Sequence, residues 1–347
     1  MEKMTKGGSV VGIKDVARAA GVSVGTVSNV MNRPDVVSPS SREKVQKAIE
    51  ELGYVPNDAA RQLKAGTSRA VGLVVVDTQN PFYGTIALEA EEAAEERGLG
   101  LFIANSHRRQ AKEQFYLSQF EQQRARGVLV TPVSADLDVQ RSVANRGTRV
   151  VLVDAVEPDD DFCAVAADDF HGGYLAVKHL LDLGRRRITV LGGPEHFRQV
   201  GHRLAGARQA ATEADDVDLE YLAPPEMSIM AGRDAALEIA ARENRPDAIF
   251  AMNDLLAIGV LQALVMMRSL RVPEDIALIG YDDIDFCEDA VVPISSIRQP
   301  SAQMGRTAVE LLDDEITEGE DHTHRWVLLK PELVARRSTR GATATDA

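Results

Sequence analysis

Side chains able to bind a hydroxyl-rich molecule recur along the chain in short clusters: Asp77-Thr78-Gln79-Asn80-Pro81-Phe82-Tyr83, Asn105-Ser106, Asp154, Asp168-Asp169, Gly192-Gly193-Pro194, Asn253-Asp254 and Tyr281-Asp282-Asp283. Carboxylates and carboxamides hydrogen-bond vicinal hydroxyls while aromatic rings stack on C–H faces, so these types suit a sugar-like ligand. Asp168 and Asp169 read instead as a helix N-cap with a dipole role. Catalytic signatures are poor. Gly192-Gly193-Pro194 lacks the G-x-G-x-x-G or G-x-x-x-x-G-K-[ST] spacing of a phosphate cradle, and no H-E-x-x-H occurs. Cys163 and Cys287 lie far apart without C-x-x-C spacing, and His322 and His324 beside Asp321 read as a solvated turn. No disulfide framework, metal site or cofactor is therefore expected, and no enzyme.

The elements that must position these clusters alternate. Apolar runs Ala70–Val76, Gly100–Ala104, Gly127–Val130 and Arg149–Val153 are separated by helical stretches Pro81–Arg97, Arg109–Arg124 and Asp136–Arg146. A second series has strands Ala164–Ala167, Ile188–Leu191, Asp218–Leu222, Ala248–Ala251 and Ile276–Gly280, with helices near Gly172–Leu183, Val200–Ala214, Ala231–Arg242 and Asp254–Arg268. Such alternation implies parallel sheets covered on both faces, here two of them. The clusters then fall at strand C-terminal ends, facing a cleft between two lobes.

The first 70 residues differ in kind. Ile13, Val16, Ala17 and Ala20 have helical spacing, Gly21 breaks the run, Ser23 is an N-cap, and Val27 and Val30 share one face of a second helix. Two helices joined by Gly21-Val22-Ser23 make a helix-turn-helix, with Val24, Gly25, Ser28 and Asn29 exposed toward a major groove. Ser38-Pro39 opens a third helix that Gly53 stops, with Ser40, Ser41, Arg42 and Lys44 available to phosphates. The segment Asn57–Lys64 has an N-cap and good helix formers but is too short to stand alone. Residues 1–69 carry 11 Lys+Arg against 7 Asp+Glu, so the head is +4 and the remainder of this −14 chain is −18. A basic head on an acidic body fits a polyanion partner.

The segments "IKDVARAAGVSVGTVSNVMN", "VSPSSREKVQKAIEELGYVPN" and "AARQLKAGTS", in that order, resemble the head of the LacI/GalR family of bacterial transcription repressors. The resemblance implies an all-α helix-turn-helix domain over 1–67 with a hinge helix near 56–65. It implies DNA contacts from Ser23, Val24, Gly25, Thr26, Ser28 and Asn29, and from Asn57, Ala60, Leu63 and Lys64 in the hinge. Leu63 would wedge into the minor groove at the operator centre and Lys64 would tune the central base preference. Asn29 stands where many members have arginine, which favours adenine over guanine at that step.

For residues 69–347 the resemblance implies a periplasmic-binding-protein-like α/β core of two doubly wound parallel-sheet lobes. The first lobe spans about 69–166 and 298–328, the second about 167–297 and 329–340, with crossings near Ala166, Arg298 and Leu328. It narrows the effector residues to Asn80, Phe82, Tyr83, Ile86, Asp154, Arg203, Met227, Asn253, Asp282 and Gln299, with a sugar as expected ligand and a purine as rival. Asp283 is left open between ligand binding and capping. The tail from Ser338 has no leucine heptads, so a homodimer is expected rather than a coiled-coil tetramer. Residues 1–10 are polar, and no run approaches the roughly 18 apolar residues of a membrane span, so a cytoplasmic protein is expected. An exported solute-binding protein of the same fold would need a signal sequence.

Overall fold

The computed structural model describes residues 11–55, 68–155, 157–195, 197–267 and 270–340. The chain divides into two compact units, Met1–Ser68 and Arg69–Ala347.

In the first unit, helices α1 (Ile13–Ala20), α2 (Val24–Asn32) and α3 (Pro39–Leu52) enclose a small core of Val16, Ala17, Ala20, Val27, Val45, Ala48 and Tyr54, with Val22 packed into the corner. Each boundary has a chemical cause. The Gly12 amide donates to the Asp15 carboxylate at 3.0 Å. Gly21 ends α1 at φ 65°, a left-handed conformation that a Cβ would strain. Ser23 Oγ accepts the Thr26 amide at 3.1 Å and Ser38 Oγ accepts the Ser41 amide at 3.3 Å, so the expected caps do satisfy helix N-termini.

The second unit holds two six-stranded sheets. The first comprises β1 (Ala70–Val75), β2 (Gly100–Asn105), β3 (Gly127–Val130), β4 (Arg149–Val153), β5 (Cys163–Ala167) and β11 (Trp326–Leu329), in the order β11-β5-β4-β3-β1-β2 and parallel throughout. The second comprises β6 (Arg187–Leu191), β7 (Asp218–Leu222), β8 (Ala248–Ala251), β9 (Ala277–Asp282), β10 (Ser295–Arg298) and β12 (Glu332–Val334), in the order β12-β10-β9-β8-β6-β7. Only β12 runs antiparallel to its neighbour there. The chain therefore passes between sheets after β5, after β10 and after β11.

Both faces of each sheet are covered, which is why the strands read as nearly unbroken apolar runs. In the first lobe, Val71, Leu73 and Val75 of β1 pack with the helices Pro81–Glu96 and Ser301–Glu318, while Val74 faces Leu117 and Val143 on the opposite side. In the second lobe, helices Asp169–Asp182 and Arg198–Thr212 cover one face and Ile229–Ala240 and Asp254–Met267 the other. The sequence pattern did not anticipate the Ser301–Glu318 helix or strands β10, β11 and β12. No described helix is long and apolar enough to cross a membrane. Strand order reverses between β1 and β3 and between β6 and β8, so in each lobe a crevice opens at the strand C-terminal ends.

Candidate functional site

On the head, α2 presents Ser23, Val24, Gly25 and Asn29 to solvent, with Thr26 and Ser28 half-buried and Val27 fixed in the core. Val24 is an exposed aliphatic residue on the first turn, where it can meet a thymine methyl. Thr26 Oγ1 lies 2.9 Å from Ser23 Oγ, and Asn32 Nδ2 donates to the Ser28 carbonyl at 2.8 Å, so parts of this face are already ordered by local bonds. Gly21-Val22-Ser23-Val24-Gly25 has Gly-x-Ser-x-Gly spacing, but it joins two helices and its serine oxygen is the cap, so it is no nucleophile elbow. Arg42, expected to serve phosphate, has its Nη2 bonded to the Pro34 carbonyl at 2.6 Å. Asn57, Ala60, Leu63 and Lys64 lie outside the described residues.

In the core, nine of the ten expected effector residues line one pocket: Asn80, Phe82, Tyr83, Asp154, Arg203, Met227, Asn253, Asp282 and Gln299. In this arrangement of the lobes the cavity they enclose is small, about 30 Å³. Ile86 is the exception. One turn inward from Phe82 on the same helix, it is fully buried in the apolar core of the first lobe and is not part of the wall.

Helix and strand ends set the geometry. Asn80 Oδ1 accepts the Phe82 amide at 3.1 Å, capping Pro81–Glu96, while its Nδ2 reaches across the lobes to Asp282 Oδ2 at 2.9 Å. Asp282 Oδ1 also accepts Gln299 Nε2 at 2.7 Å. Asp154, at φ 60° directly after β4, accepts the Tyr83 hydroxyl at 3.0 Å and Gln199 Nε2, from the second lobe, at 3.0 Å. Asn253 caps Asp254–Met267 through the Leu256 amide at 2.9 Å and holds the Met227 carbonyl at 3.1 Å.

Arg203 is 5 % exposed and firmly held. Its Nε donates to Asp169 Oδ1 at 2.7 Å and its Nη1 to the Met252 carbonyl at 2.6 Å, with the guanidinium 3.8 Å from the Tyr281 ring centre. The Tyr281 hydroxyl also donates to Asp169, at 2.8 Å. The paired reading of Asp168 and Asp169 as caps is thus half corrected. Asp168 accepts the His171 amide at 2.9 Å, but Asp169 is the buried partner of Arg203.

Three buried oxygens facing this network have no partner among the described residues: Asp154 Oδ1, Gln299 Oε1 and Asp169 Oδ2. Burial raises the Asp154 carboxyl well above the usual carboxylate range, with Asp169 adding to the rise and Arg203 opposing it. Asp282 is raised by burial against the pull of Arg203. Asp283, left open by the sequence, pairs with Arg298 at 2.8 Å and with Arg336, and so serves the strand ends.

Sequence reasoning missed Arg108, Phe197, Gln199 and Val200 on the same wall. Gln199 stands four residues before Arg203, on the same face of one helix, which the periodicity already contained. It also missed that His322 is no solvated turn: its side chain is 3 % exposed and its Nε2 lies 3.1 Å from Cys163 Sγ.

Residues 12–57 match the family of bacterial regulatory proteins called lacI, and residues 177–339 match a periplasmic binding protein-like domain. The HTH-type transcriptional repressor PurR of Photobacterium profundum is 32% identical over 330 residues, covering 94% of this chain and 98% of that one. A complex of the transcriptional regulator CelR with cellobiose is 33% identical, with TM-score 0.69, covering 94% and 99%. The lac repressor dimer bound to operator and the anti-inducer ONPF is 26% identical, with TM-score 0.81, covering 95% and 99%.

Proposed function

Because the chain belongs to the lacI family of bacterial regulatory proteins, and so is a DNA-binding transcriptional repressor with an effector-binding core, we propose how its residues divide that task. The first turn of α2, through Ser23, Val24, Gly25, Thr26, Ser28 and Asn29, reads base edges of an operator half-site. Asn57, Ala60, Leu63 and Lys64 contact its centre. Two copies of the chain read the two halves of a pseudo-palindrome, as a two-fold dimer requires. The polar pocket of the core takes a sugar or sugar derivative, held by Asn80, Asp154, Arg203, Asn253, Asp282 and Gln299, and its occupancy sets the affinity for DNA.

One observation carries the ligand class. Asp154 Oδ1 and Gln299 Oε1 are buried acceptors without a donor among the described residues. An unpaired buried acceptor costs about 1–3 kcal/mol, and ligand hydroxyls would relieve both. Phe82, Tyr83 and Phe197 supply apolar faces beside them. The cellobiose bound by CelR supports the same class. Relatives named PurR favour a purine instead, whose flat ring would use the aromatic faces but offers few hydroxyl donors.

A thermal-shift panel of sugars, sugar phosphates and purines on the intact chain tests the proposal. A ligand at 100 times its dissociation constant adds about 2.7 kcal/mol of stability. A sugar hit that also changes operator affinity is the expected result. A purine that gives the shift where no sugar does would overturn the ligand class while leaving the DNA-reading role intact.

A further inference from the structure

At the N-terminal ends of β5 and β11, away from the strand ends that form the cleft, four side chains converge. Cys163 opens β5, Glu315 belongs to the last turns of the Ser301–Glu318 helix, and His322 and His324 precede β11. One ligand atom from each lies within 4.8 Å of every other. We propose that Cys163, Glu315, His322 and His324 form a binding site for a divalent transition-metal ion, with zinc as the best fit.

Geometry and donor types support this together. Cys163 Sγ and His322 Nε2 are 3.1 Å apart. Bond lengths of about 2.3 Å to sulfur and about 2.05 Å to nitrogen would set tetrahedral ligands roughly 3.6 Å apart, so the pair needs only a small outward shift. One thiolate, two imidazoles and one carboxylate favour zinc-like ions over magnesium or calcium, which take oxygen ligands. His322 Nδ1 donates to the Glu318 carboxylate at 2.7 Å, which fixes the tautomer and leaves the Nε2 lone pair toward the thiol. Carboxylates orient metal-bound histidines in this way.

A second observation is independent of spacing. Glu315 Oε2 and His324 Nδ1 are buried polar atoms with no partner among the described residues, and Glu315 as a whole is 5 % exposed. Orphans of this kind call for an unseen partner. Arg149 lies 3.7 Å from the other Glu315 oxygen, so the carboxylate keeps one oxygen for the ion.

The ion ties β5 to two neighbouring segments that the chain reaches much later. It pins the lead-in to β11 against β5 and against the end of the helix between them in the chain. Since β11 is the edge strand from which the chain leaves for the second sheet, the site fastens that strand to its lobe. The role is structural, and it is separate from the effector pocket.

The test titrates tag-free, reduced, chelator-treated full chain with Co²⁺ and Zn²⁺. One equivalent of Co²⁺ is expected to give the intense visible bands of tetrahedral cobalt and a near-ultraviolet thiolate charge-transfer band. That band should vanish in Cys163→Ser and persist in Cys287→Ser. Zn²⁺ should raise Tm of the unaltered chain, and His324→Ala, at a half-exposed position, should weaken its affinity at least tenfold while keeping the circular dichroism spectrum. Absence of tetrahedral bands at one equivalent, persistence of the charge-transfer band in Cys163→Ser, or Zn²⁺ affinity unchanged in His324→Ala would each overturn the proposal.

Discussion

Replacing Arg203 by methionine asks how much of the pocket depends on one buried charge. The guanidinium bonds Asp169 at 2.7 Å and the Met252 carbonyl at 2.6 Å, and Asp169 is 1 % exposed. Without the arginine, the Tyr281 hydroxyl at 2.8 Å is the one side-chain donor left to Asp169 among the described residues, and its Oδ2 already has none there. Removing one partner of a buried pair strands the other and costs about 3–5 kcal/mol. For a unit of this size each kcal/mol moves Tm by roughly 2–4 °C, so a drop of about 6–20 °C is expected. Neutralising the stranded acid with Arg203→Met/Asp169→Asn should return part of that loss, since contacting residues couple by about 0.5–3 kcal/mol. Thermal melts of both single variants and the double variant close the cycle. Effector titration then separates two duties, because the restored double variant should still bind its effector poorly. A loss under about 1 kcal/mol in Arg203→Met, or single losses that add within about 0.5 kcal/mol, would refute the reasoning.

Effector affinity should rise with pH up to about 7, where the raised Asp154 carboxyl ionises and can accept a ligand hydroxyl, Asp282 having ionised first at about 6. The sign for stability is opposite: ordinary carboxyls ionise near pH 4, so between roughly pH 4 and 7 the folded chain holds protons the unfolded chain has lost, and these two groups reduce stability as pH rises through that window. Calorimetry in buffers of differing ionisation enthalpy should detect proton release on binding at pH 6, and an affinity flat from pH 5.5 to 8 would refute the assignment. Gly173→Ala would bring a Cβ to 2.0 Å from the Arg203 carbonyl oxygen, forcing the Asp169–Asp182 and Arg198–Thr212 helices apart. A loss of at least about 1–3 kcal/mol in melts, with weaker effector binding because Arg203 rides on the displaced helix, is expected. Asn29→Arg should shift the preferred base at its operator step from adenine toward guanine in selection from a randomised half-site library, and an unchanged preference would remove Asn29 from base reading.

The helix-turn-helix was legible because caps and stops are local. Ser23, Ser38, Pro39, Gly21 and Gly53 act within four residues of where they stand. The strands and helices from Ala70 to Asp282 were legible for the same reason, since period and run length are local too. Strands β10, β11 and β12 are only three or four residues long, too short for a period to show, and β11 finds its partner β5 far back in the chain, so pairing and not pattern defines them. The pocket residues that the resemblance supplied mostly converge. Ile86 does not, since helix phase turns it into the core. Asp169 was misread because an acid at a helix start has an adequate local explanation, and its partner Arg203 is 34 residues away. The Cys163–His322 contact was invisible because 159 residues separate the two, and only the parallel pairing of β11 with β5 joins them.

The Asn80 carboxamide has consequences for how motion travels. Its oxygen closes the first turn of Pro81–Glu96 while its nitrogen grips Asp282 on the other lobe. An amide is flat and stiff, so the two bonds cannot be adjusted separately. Any rotation that carries Asp282 away must either release the grip or twist the oxygen off the Phe82 amide. The lobes are thus geared to a helix end through a single group of atoms, and a hinge movement is converted at that point into loss or gain of a cap.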